Sequence, residues 1–99
     1  MNKNVDLSEI KLVDQIAELY QAIIDVKNIE DCSDLFDDLC TYKEIEQMAQ
    51  RITSARLLIE GYTYEEVIKK TKISSATLSR VSKCVKFGKG YNKILKNNE

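Results

Sequence analysis

Ninety-nine residues without a proline or a histidine, and with only Gly61, Gly88 and Gly90 as glycines, fit one domain of long helices and short connections. Cys32, Cys40 and Cys84 are an odd set without C-x-x-C spacing. A disulfide framework or zinc site is therefore not expected, and the thiols read as small, buried or half-buried apolar side chains in a reducing compartment. No run approaches the roughly 20 apolar residues of a membrane span, and Met1-Asn2-Lys3-Asn4 leads into an acidic amphipathic segment rather than a signal peptide. The expectation is a cytoplasmic protein with no membrane partner and no cofactor.

The net charge of −1 hides an asymmetry. Residues 1–40 carry 3 basic and 10 acidic side chains, and residues 41–99 carry 12 and 6. From Val67 onward there are nine basic residues and one acid, Glu99. A nucleic-acid-facing half and a solvent- or partner-facing half would divide charge in this way.

Apolar residues recur at three- and four-residue steps from about Asp6 to Val26: Leu7, Ile10, Val13, Ile16 or Ala17, Tyr20, and Ile23 or Ile24. This predicts a first amphipathic helix. Its apolar stripe is more than a chain of this size easily covers alone, since such a monomer buries only roughly 60–70% of its unfolded surface. A homodimer is therefore expected. A short second helix runs from Asp31 or Ser33 to Cys40, with Leu35, Phe36 and Leu39 inward.

Thr41-Tyr42-Lys43-Glu44 is a capping box that opens a third helix reaching Glu60, and Gly61 is its natural C-terminal stop. Thr63-Tyr64-Glu65-Glu66 is a second capping box, starting a two-turn helix that ends near Lys70 or Thr71. Ile73 and Leu78 bracket Ser74 as a hydrophobic staple around an N-cap. The fifth helix then runs from Ser74 or Ser75 to about Phe87. Gly88-Lys89-Gly90 interrupts, and Tyr91 to Lys96 forms a short last helix before a frayed end at Asn97-Asn98-Glu99.

A two-turn helix, a three-residue turn and a longer helix make a helix-turn-helix over residues 63–87. At about 100° per residue, Leu78, Val81, Ser82 and Val85 share one side of the second helix, and Ala76, Ser79, Arg80 and Lys83 the other. Small residues near the helix start admit the backbone to base edges, and Arg80 and Lys83 lie where phosphates would flank it. The residues expected to contact double-stranded DNA are Lys69, Lys72, Ser75, Ala76, Thr77, Ser79, Arg80 and Lys83, with Lys70 adding charge. Rival readings are a helical protein-interaction adaptor and a small helical-dimer enzyme using Arg51, Arg56 and Glu60. The latter lacks a nucleophile–base pair and a phosphate loop.

Asp38-Leu39-Cys40-Thr41, Glu60-Gly61, Gly61-Tyr62-Thr63-Tyr64 and Ser75-Ala76-Thr77-Leu78-Ser79-Arg80-Val81 resemble the Trp repressor superfamily. The likeness is closer to its Trp-repressor-related proteins of YerC/YecD type, and the last stretch is the most specific. The resemblance implies an all-α bundle of about six helices in an intertwined homodimer, acting as a sequence-specific transcriptional regulator on DNA. It also implies an effector seat between Arg51 and Arg80, with Thr41 lining it. Three departures stand out. Val81 replaces a glycine, which disfavours tryptophan as the effector. Glu66 replaces a DNA-contacting arginine. The turn reads Thr71-Lys72-Ile73, often with a glycine in relatives, and a left-handed lysine costs on the order of 1 kcal/mol, so a different turn geometry is expected.

Overall fold

The computed structural model describes residues 7–96. Among these residues there are six helices: α1 (Leu12–Ile24), α2 (Ile29–Leu39), α3 (Tyr42–Ile59), α4 (Tyr64–Thr71), α5 (Ser75–Phe87) and α6 (Gly90–Leu95). Among the described residues there is no strand, as the all-α reading requires, and no helix is long and apolar enough to cross a membrane. The expected helix start at Asp6, the stretch Met1–Asn4 and the tail Asn97-Asn98-Glu99 lie outside the described residues. The chain divides into two compact units, one ending at Leu39 and one beginning at Cys40.

In the first unit, α1 starts at Leu12, later than the periodicity predicts. Leu7 and Ile10 continue the apolar spacing but lie ahead of the helix. Lys11 is extended and gives no side-chain cap. Instead the Gln15 side-chain amide donates to the Ile10 carbonyl at 3.0 Å. Helix α2 starts at Ile29, earlier than expected, because Asn28 Oδ1 accepts the Asp31 amide at 2.8 Å and caps it. Neither helix holds a buried residue. Leu12, Ile24 and Ile29 are 69%, 72% and 88% exposed.

In the second unit, α3 is the spine, and α4, α5 and α6 pack on it. Its capping box is formed as read: the Glu44 amide donates to Thr41 Oγ1 at 3.1 Å, and the Thr41 amide to Glu44 Oε1 at 2.8 Å. At its far end Gly61 takes φ +101°, so that the Tyr62 amide reaches the Leu57 carbonyl at 3.1 Å. The core is Ala55 and Leu57 of α3, Val67 of α4, Ile73 of the turn, and Leu78 and Val81 of α5. Leu58, Ile68, Val85, Tyr91 and Leu95 pack around it. Burying Val67, Ile73, Leu78 and Val81 contributes roughly 1.5–3 kcal/mol each. Helix α5 ends at Gly88, whose amide donates to the Cys84 carbonyl at 2.8 Å. A Cβ there would sit 2.7 Å from that same oxygen. Asn92 Nδ2 then donates to the Val85 carbonyl at 2.6 Å and fastens α6 to the end of α5.

Candidate nucleic-acid interface

The helix-turn-helix is built from local chemistry. The Glu66 amide donates to Thr63 Oγ1 at 3.2 Å and the Thr63 amide to Glu66 Oε1 at 2.8 Å, starting α4. The Thr63 amide and hydroxyl, aided by Lys70, hold the Glu66 carboxyl below its ordinary value of 4.5, against a weaker opposing desolvation. Lys70 Nζ lies 5.4 Å from the centre of the Tyr62 ring, within cation–π reach.

The turn corrects the expectation from sequence. Lys72 does adopt the left-handed conformation, with φ 65° and ψ 17°. The cost is offset by a network centred on Thr71. Its hydroxyl donates to the Val67 carbonyl at 2.8 Å and accepts from the Ile73 amide at 3.2 Å and from Ser54 Oγ at 3.3 Å. Gln50 Nε2 donates to the Thr71 carbonyl at 3.2 Å. With α3 gripping Thr71 and Ile73 sunk in the core, the chain between them has only a tight turn open to it.

Ser74 then caps α5, accepting the Thr77 amide at 3.2 Å and donating to Thr77 Oγ1 at 2.9 Å. Leu78, Val81 and Ser82 are buried. Ser75, Ala76, Ser79, Arg80 and Lys83 form the exposed face of α5, and Lys69 of α4 and Lys72 of the turn are also exposed. Thr77 is separate from that face: it is half-buried and turned towards α3.

Arg51 of α3 and Arg80 of α5 line one cleft of about 340 Å³ with Thr77, Val81, Cys84 and Tyr91. No carboxylate borders it, so it suits an anionic or electron-rich guest. Val81 is 2% exposed, and its methyls serve both as core and as cleft wall. Thr41 is not among the lining residues; its hydroxyl and amide are occupied by Glu44. A neighbouring polar cleft of about 370 Å³ shares Arg51 and Thr77 and adds Lys43, Glu46, Gln47, Gln50, Lys72 and Ser74. Sequence reading passed over Lys43, Gln47 and Gln50. Their spacing beside Arg51 is a polar stripe on α3, opposite Ile45, Met48 and Ile52, and could have flagged them. An apolar cleft of about 430 Å³ opens beside Ile52, Cys84, Tyr91, Ile94 and Leu95. Among the described residues no group of three or more His, Cys, Asp or Glu side chains is placed to hold a metal.

Residues 14–99 match the family described as Trp repressor protein. The chain is 43% identical over 74 residues to the uncharacterized protein YerC of Bacillus subtilis strain 168, covering 75% of this chain and 71% of that one. A solved structure from Staphylococcus aureus, provisionally assigned as a Trp repressor, superposes with a TM-score of 0.81 at 38% identity, over 85% of each chain. A TrpR-like protein from Eubacterium eligens ATCC 27750 gives the same TM-score at 35% identity, over 85% of this chain and 88% of that one. With the family match spanning most of the sequence and the six-helix fold shared with these structures, the chain belongs to the Trp repressor family.

Proposed function

We propose that this protein is a cytoplasmic, sequence-specific DNA-binding transcriptional regulator, and that the whole chain, residues 1–99, works as one DNA-binding domain within an intertwined homodimer. The observation that carries the reading is the split of α5: one side, with Leu78 and Val81, is buried in the core with Ala55, Leu57, Val67 and Ile73, and the other offers Ser75, Ala76, Ser79, Arg80 and Lys83 to solvent. A reader helix needs a fixed back and a small, cationic front. In this reading Lys69, Lys72, Arg80 and Lys83 contact phosphates, and Ser75, Ala76 and Ser79 face base edges. Thr77 supports the helix start from its inner side. The outer face has no Asn or Gln for bidentate base contacts, so specificity is modest and leans on water and DNA shape.

The exposed apolar residues of α1 support the dimer. Ile16, Leu19, Tyr20 and Ile23 are covered by nothing that buries them, and a helix of this length is marginal in water without packing. A second copy supplies the cover. The Arg51–Arg80 cleft is the seat for any small effector.

The test is duplex binding across a salt series, with the dimeric mass fixed by light scattering. Arg80→Ala should weaken all duplexes alike and lower the salt slope by about 1. A folded protein that binds no duplex at low salt, or a monomer with full helix content, overturns the corresponding part.

A further inference from the structure

We propose that the polar cleft between α3 and the turn before α5 seats a backbone phosphate of the bound duplex, with Lys43 joining Arg51 as a cation that α3 contributes from outside the helix-turn-helix. The proposal rests on the DNA-binding reading above. Three cations, Lys43, Arg51 and Lys72, border the cleft against one carboxylate, Glu46. Lys43 and Lys72 are exposed and, among the described residues, stand in no salt bridge. Gln47 adds a neutral donor, while the Gln50 amide is already spent on Thr71.

The placement of the two lysines gives the second strand of the argument. Lys43 is the second residue of α3, where the helix dipole disfavours a positive charge. Lys72 sits at φ 65°, a conformation that favours glycine. Each lysine stands where folding alone would select something else, and both border one cleft. An anion resolves that conflict. A duplex phosphate is the source favoured here, because the cleft runs to Ser74, the first residue ahead of the exposed α5 face.

The experiment compares the wild type, Lys43→Gln and Arg80→Ala on two unrelated duplexes across a salt series, with thermal melts of each in chloride and in inorganic phosphate at matched ionic strength. Lys43→Gln should weaken both duplexes equally and lower the salt slope by about 1, while its own melting midpoint stays the same or rises. An unchanged slope in Lys43→Gln alongside a lowered one in Arg80→Ala overturns the phosphate seat and leaves DNA binding standing. A wild type that binds neither duplex overturns both. If inorganic phosphate raises the midpoint of the wild type but not of Lys43→Gln, and the duplex slope is unchanged, the cleft is a free-anion site and the duplex assignment is wrong.

Discussion

Ser54 and Thr71 meet hydroxyl to hydroxyl at 3.3 Å, joining α3 to the last residue of α4 across 17 positions of sequence. Ser54 is fully buried, and Thr71 is the junction through which three donors and acceptors hold the turn. Thr71→Val keeps the shape but strands the Ile73 amide and the Ser54 hydroxyl. The expected loss is about 2 kcal/mol, from buried groups left without partners. Ser54→Ala leaves the other two Thr71 bonds intact and should cost about 1 kcal/mol or less. Urea unfolding at one protein concentration checks the order; Ser54→Ala costing more than Thr71→Val would contradict it.

Lys72→Gly should raise stability and lower DNA affinity together. Relief of the left-handed lysine gains about 1 kcal/mol, less the greater freedom glycine has when unfolded. A rise of a few degrees in melting midpoint is the readout, with a salt slope lower by about 1. A fall in the midpoint would mean that the Lys72 side chain itself holds the turn.

Glu66 gives an acid limb to the stability curve. Its folded value lies below 4.5, because Thr63 hydrogen-bonds the charged form. A depressed carboxylate contributes stability that is present above its unfolded value and lost as pH falls through the folded one. The loss attached to this group therefore falls below pH 4.5. Glu66→Gln should lose less stability between pH 5 and pH 2 than the wild type. Parallel curves would remove the box from the acid response.

Val81 bears on the effector. It is packed with Leu78 in the core and walls the Arg51–Arg80 cleft, so in the proposed seat it takes space that a glycine would leave to a flat ring. Titration calorimetry with L-tryptophan should show no binding below millimolar, and a DNA shift assay should be indifferent to it. Micromolar heats would overturn this. Val81→Ala is the informative variant, because Val81→Gly adds a helix penalty of about 1 kcal/mol to the lost core contact.

What the sequence showed most directly was local. Thr41 with Glu44 and Thr63 with Glu66 announce their helices because both partners lie within one turn, and both boxes are formed. Ile73 and Leu78 read as a staple for the same reason, and both are buried. The Asn28 cap was missed because Asp31, rather than a Glu or Gln, stands three residues on, so no reciprocal box marks it. The left-handed Lys72 was misjudged because its cost is local, whereas its compensation comes from Gln50 and Ser54 in another helix. The clefts fared likewise. Periodicity separates Arg80 from Val81 as outward and inward, but it cannot say that Arg51, some thirty residues earlier, faces them both.

Arg51 borders the cleft it shares with Arg80 and the cleft it shares with Lys43. If both proposed seats are filled, one guanidinium serves two sites, and their occupancies are then thermodynamically linked. A guest that draws Arg51 into the first cleft alters what the second can hold, and the factor is the same read from either side. On the proposed DNA-binding reading, a small guest that never touches a base would then adjust the grip of this protein on DNA, and DNA would in turn set how readily that guest is held.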